Sequence, residues 1–186
     1  TDFERDMLNR GSAYRIGGFA LILFAFMILG TAIFAMLIHV KGNGNLWLVG
    51  FIIFFAGIYF LFKAHGVMFF SEIIKFNTRM LVGSIMLYML MITTFIAFQL
   101  QDKAKKVGIG MAILALFTIL ACMIAPVFIG VKFYDTLPVW AVMQTIICLV
   151  MVVLLALWSV RGNKKEKTFS FFCMLPMLAF IIDILG

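Results

Sequence analysis

The side chains that could do chemistry in this chain are few and widely separated. Gln144 and Thr145 are the most polar pair inside any long apolar stretch. An amide carries donors and acceptors that must all be answered, and lipid offers no water to answer them. Such a pair either reads a ligand or bonds a neighbouring segment. Thr94, beside Thr93 and downstream of Ser84, supplies hydroxyls of the right kind. Asp183 falls near the end of the last apolar stretch and His39 near the end of the first. An ionisable group at membrane depth is costly and marks a ligand or proton site by default, although an interfacial position serves Asp183 equally well. The ligand-binding candidates are therefore Gln144, Thr145, Asp183 and Thr94. His65, Glu72 and Lys75 lie in a short polar segment and read as interfacial, with Glu72 and Lys75 close enough on a helix for a surface ion pair.

Cys173, Met174 and Met177 together have the soft donors that select copper(I). The 14 methionines form no recurring pairs, however, and methionine is also an adaptable apolar filler. The three cysteines contain no C-x-x-C and read as packing residues. No metal site and no cofactor is expected. The chain has no H-E-x-x-H, no Gly-rich phosphate loop and no G-x-S-x-G, so no catalytic residue is expected and it does not read as an enzyme.

Composition says what must position these groups. Of 186 residues, 65% are hydrophobic and 12% charged, and the mean hydropathy is +1.17. A soluble domain carries roughly twice that share of charge. Lipid is the solvent that tolerates such a surface. The formal charge of +7 is spread as short Lys and Arg clusters between apolar runs, the pattern that orients membrane proteins rather than one that binds nucleic acid. The lipid bilayer is the expected partner, with a membrane-protein partner or a second copy of the chain as further ones.

About 20 apolar residues cross the roughly 30 Å of hydrocarbon in a bilayer. Uncharged runs predict spans at about 16–40, 46–62, 80–100, 107–131, 137–160 and 168–186. The fold class is thus an all-α membrane protein, a single domain built as a six-helix bundle. The first run is too long for the core of a signal peptide. Short connections at 41–45, 101–106, 132–136 and 161–167 make successive helices antiparallel neighbours. Residues 63–79 are too short and polar to cross. Phe69, Phe70, Ile73 and Ile74 on one side predict an amphipathic interfacial helix there, or an extension of the third span. A shorter pattern over 2–10 should stop at Gly11.

In the fourth run, Gly108, Ala112, Ala115, Thr118, Cys122 and Ala125 share one helical face. Small residues let helices approach closely in lipid, so this face predicts a packing seam. Pro126 and Pro176 each remove a rung from their helices, leaving a kink or an exposed carbonyl.

With alternating spans, seven basic residues fall on the side of the N-terminus and eight on the other. Weighting the two densest short loops favours the N-terminus outside. Weighting the first helix, with Arg5, Arg10 and Arg15 against Lys41, favours the N-terminus inside, in the cell membrane, and that orientation is the expectation. Basicity runs high, low, high in each three-helix half, as inverted repeats would have it.

In size and span number the chain resembles the substrate-binding membrane subunits of energy-coupling-factor transporters, a resemblance that carries no individual residue. The expected function is a small transporter, or a substrate-binding transport subunit, for an apolar or amphipathic molecule held among the third, fifth and sixth helices. An accessory, regulatory or immunity protein acting through a partner is the alternative, favoured by the scarcity of buried charge.

Overall fold

The computed structural model describes residues 2–38, 44–65, 71–161 and 164–185, with the side chains of 12–38, 45–62, 79–160 and 164–182. Among these the chain is all helical: α1 Asp2–Leu37, α2 Gly44–His65, α3 Ser71–Gln99, α4 Asp102–Phe128, α5 Phe133–Arg161 and α6 Lys164–Leu185. Among the described residues, five stretches are long and apolar enough to cross a membrane: Ser12–Leu37, Asn45–Phe62, Arg79–Gln99, Asp102–Phe128 and Phe133–Val160. The segment in α6 is not among them.

All six helices start earlier than the expected spans, and only α2 and α5 end later. α1 passes through Gly11 without a break, because an interior glycine costs a helix only about 1 kcal/mol. Residues 71–79 are the first turns of α3 rather than a separate interfacial helix, and neither glycine nor proline stands there to stop it. His65 closes α2, while Glu72 and Lys75 lie in α3. Their side chains, together with His39 and Phe69–Phe70, lie outside the described residues. The polar residues expected in connections belong to helix starts: Lys103, Lys105 and Lys106 to α4, and Lys164, Lys165 and Lys167 to α6.

The chain divides within α3 into two compact units, Thr1–Ile92 and Thr93–Gly186. In the first unit, α1 and α2 form an antiparallel hairpin. Tyr14 stacks on Phe60 at 5.9 Å, and Phe26 meets Phe54 edge-on at 5.8 Å. Gly18, Ala25 and Ala32 are buried at intervals of seven, and so are Gly50 and Gly57. A Cβ on Gly57 would lie 2.7 Å from Ile22 Cγ1 and 3.0 Å from the Gly18 carbonyl oxygen. A Cβ on Gly18 would in turn meet Leu61 at 2.8 Å and the Gly57 carbonyl oxygen at 3.0 Å. The two backbones approach so closely that only glycine fits at either position. The other side of α1, with Ile16, Phe19, Leu23, Phe24 and Met27, is exposed, as a lipid-facing surface should be.

In the second unit, α4 packs on α5 and α5 on α6. The inward stripe of α5 is Thr136, Trp140, Gln144, Ile147, Cys148, Met151 and Leu155, a spacing of three and four residues that keeps one face inward. Trp140 meets Phe180 edge-on at 5.6 Å, and Trp158 meets Phe169 at 5.9 Å. The seam residues Gly108, Ala115 and Cys122 are buried, whereas Ala112 and Ala125 are half-buried. A Cβ on Gly108 would lie 3.1 Å from Ala97 Cα, where α4 crosses the end of α3.

Candidate functional site

Of the candidates taken from the sequence, Gln144 and Thr145 both bond within their own helix. Gln144 is 1% exposed within the α5 stripe, and its amide nitrogen donates to Cys148 Sγ at 3.7 Å. That partner is on its own helix, one turn along, not on a neighbouring helix. Thr145 donates back to the Ala141 carbonyl at 2.8 Å, and Ser84 to the Leu81 carbonyl at 2.8 Å. Thr94 is half-buried on α3 and already holds an interaction. Asp183 lies in the last turn of α6, with its side chain outside the described residues. Among the described residues, no cluster of three or more His, Cys, Asp or Glu could hold a metal ion.

Pro126 has a definite consequence. It has no N–H to give the Cys122 carbonyl, so that oxygen loses its donor within α4. Thr136 on α5 lies against it, its hydroxyl 3.4 Å from the Cys122 carbonyl oxygen and 2.7 Å from that of Phe133. The Cys122 thiol donates in return to the Thr136 carbonyl at 3.6 Å. The exposed carbonyl is answered by a neighbouring helix rather than left for a ligand, the usual accommodation of proline in lipid.

The more site-like arrangement is at the other end of α4, in the stretch expected to be a connection. Leu100 and Gln101 alone connect α3 to α4. Gln101 is extended, at φ −114° and ψ 160°, and Asp102 turns the chain in the left-handed region at φ 48°. A residue with a Cβ pays roughly 1–2 kcal/mol for that conformation, although Asp tolerates it better than most. Gln101, Asp102, Lys103 and Ala104 form one wall of a cavity of about 560 Å³. Leu154, Leu157 and Trp158 on α5 form the apolar wall, and Glu166 from α6 closes it.

The cavity therefore offers two carboxylates, one ammonium, one amide, an indole and two leucines. Its chemistry is that of an amphiphile: a polar head among Asp102, Lys103 and Glu166, and an apolar body against Leu154, Leu157 and Trp158. Gln144 lies ten residues before Leu154 on α5, about 15 Å away at 1.5 Å per residue, and belongs to a different layer. Residues 101–104, 154–158 and 166 carry no shared sequence signal. The one clue was Trp158 beside a charged connection, an arrangement common at membrane interfaces.

No known protein family matches this chain, and no curated protein or solved structure emerges as similar to it.

Proposed function

We propose that the chain is a small multi-pass transport protein of the cell membrane, or the substrate-binding subunit of one, that takes an apolar or amphipathic small molecule. The observation that supports this reading is the mixed-polarity cavity at the starts of α4 and α6. Binding sites for small molecules are mostly apolar concavities with a few convergent polar groups, and this cavity has that make-up. The left-handed Asp102 adds support, because sparsely populated backbone conformations cluster at ligand sites. In this reading α6 completes a sixth span. The N-terminus lies inside, following Arg5, Arg10 and Arg15 against Lys41.

The test is native mass spectrometry of the purified protein, released from detergent with whatever amphiphile it retains. Leu157→Trp fills the apolar side of the cavity and should abolish retention while leaving the fold intact, since Leu157 is 57% exposed. Asp102→Gly relieves the left-handed backbone and should raise stability by about 1 kcal/mol while weakening retention. Equal retention by the wild type and both variants would remove the cavity from the mechanism.

A second reading has its own support. Thr31, Thr118, Thr145 and Thr168 each bond a carbonyl four residues back on their own helix. Hydroxyls satisfied in this way give ions little polar lining. This favours an accessory, regulatory or immunity protein acting through a membrane partner. Crosslinking that recovers one stoichiometric partner and no retained small molecule would favour it over transport.

A further inference from the structure

The polar end of the second unit is also its most charged surface. Six exposed lysines lie there: Lys103, Lys105 and Lys106 at the start of α4, and Lys164, Lys165 and Lys167 at the start of α6. Gln101–Ala104 and Glu166 line one cavity, so both clusters share this end. Asp102 and Glu166 are the acidic residues among them. At the opposite end of the unit stand Lys132, Asp135 and Asp183, with no excess of positive charge. An excess of positive charge at one end of a helix bundle attracts anionic headgroups at about 1 kcal/mol per basic residue near the surface.

A groove of about 600 Å³ lies within this field, separate from the amphiphile cavity. Lys164, Lys165 and Thr168 form its rim, and Phe169 and Phe172 form its wall. All five come from the first turns of α6, where residues three and four apart share a face. The wall is almost wholly apolar. Thr168 donates to the Lys164 carbonyl at 3.0 Å and Lys165 holds an interaction of its own, so what the rim offers is the positive charge of its two ammonium groups. Phe172 is 64% exposed, and Phe169 is anchored between Phe95 and Trp158 at 5.9 Å from each. Ammonium groups above an aromatic wall match a phospholipid, with the phosphate at the water boundary and an acyl chain below it.

We propose that this groove binds one anionic phospholipid, its phosphate between Lys164 and Lys165 and its acyl chain against Phe169 and Phe172. The lysines of α4 supply the surrounding field without touching the lipid. A zwitterionic phospholipid gains less, because its ammonium meets the same positive field. The groove reads the headgroup, so the assignment holds for whichever leaflet this end faces. It stands independently of the transport reading, which rests on the other cavity.

The experiment uses the full chain in detergent, titrated with phosphatidylglycerol or with phosphatidylcholine of the same acyl chains, and bound lipid counted by native mass spectrometry. The expected result is one phosphatidylglycerol held in clear preference to phosphatidylcholine, with the preference falling as salt shortens the screening length to about 3 Å at 1 M. Lys164→Gln with Lys165→Gln should weaken phosphatidylglycerol binding by about fivefold per lysine. The same change at Lys105 and Lys106 should weaken it less. Phe172→Ala, which keeps both ammonium groups, should lower the affinity for both lipids alike. Equal binding of the two lipids overturns the proposal, and so does equal loss from the α4 and α6 lysine pairs, which would reduce it to a diffuse field. Inorganic phosphate is the remaining arm: full displacement of the lipid at millimolar phosphate would mean an anion site without an acyl requirement, and would overturn the lipid assignment.

Discussion

The α1–α2 hairpin and the α4–α6 unit solve the same problem by different means. Helices in lipid gain nothing from hiding apolar surface, because the tails outside are as apolar as the neighbours inside. The hairpin responds with proximity alone: glycines and alanines at intervals of seven, backbone nearly on backbone, and aromatic pairs beside the seam. The second unit has a comparable seam in Gly108, Ala115 and Cys122, and adds polar groups. Thr136 answers the carbonyl that Pro126 exposes, Gln144 is set into the α5 stripe, and charged helix starts surround two concavities. The difference teaches that tight packing leaves no room for a site. The chain keeps its glycine-dense contact in one region and its charged concavities in the other.

If that division is right, the hairpin should be the less forgiving of added volume. Gly57→Leu should cost about 3 kcal/mol or more, the upper end for overpacking, because the Gly18 carbonyl at 3.0 Å is backbone and cannot turn aside. Reversible unfolding in mixed micelles would measure it, and a cost below that of the second unit's seam would break the comparison. That seam is tested by Ala115→Leu, where Ala115 is fully buried. The expected cost is about 2 kcal/mol, and unchanged detergent stability would mean the face meets lipid after all.

A smaller effect sharpens the polar side. Thr136→Val keeps the shape but leaves the Cys122 carbonyl without its partner, costing about 1–2 kcal/mol. In a Pro126→Ala background the helix regains the N–H for that carbonyl, so most of the cost should disappear. A double-mutant cycle showing no coupling would mean that Thr136 acts only through Phe133. The smallest effect belongs to Gln144→Leu. Its amide donates to a sulfur on its own helix, a weak acceptor, so the loss should stay near the roughly 0.6 kcal/mol typical of buried polar bonds in membranes. Retention of any amphiphile should be untouched, because the cavity lies in another layer. Loss of retention would restore Gln144 as a ligand-reading residue.

Particular residues show how far the sequence could be read. Helix class, and five of the spans, followed from the length of apolar runs, because the thickness of lipid is a fixed ruler. The buried stripe of α4 is Gly108, Ala115, Ile119 and Cys122, and a small-residue pattern selects three of these but not Ile119. The small-residue seam of α1 and α2 has the same form, at Gly18, Ala25 and Ala32 and at Gly50 and Gly57. A seven-residue spacing on one helix has meaning only beside its match on another.

Gln144 shows the limit most plainly. Its depth in an apolar run established that the amide would need a partner. Sequence did not say that Cys148, one turn along, would supply it. The cavity walls come from residues 101–104, 154–158 and 166, brought together because α4 starts, α5 ends and α6 starts at one end of their unit. Composition and periodicity determined that this chain is helical and suited to lipid, since each residue's preference for water or hydrocarbon is its own. Only the tertiary structure decided which faces meet and where a concavity remains, because close packing depends on the matched shapes of segments distant in sequence.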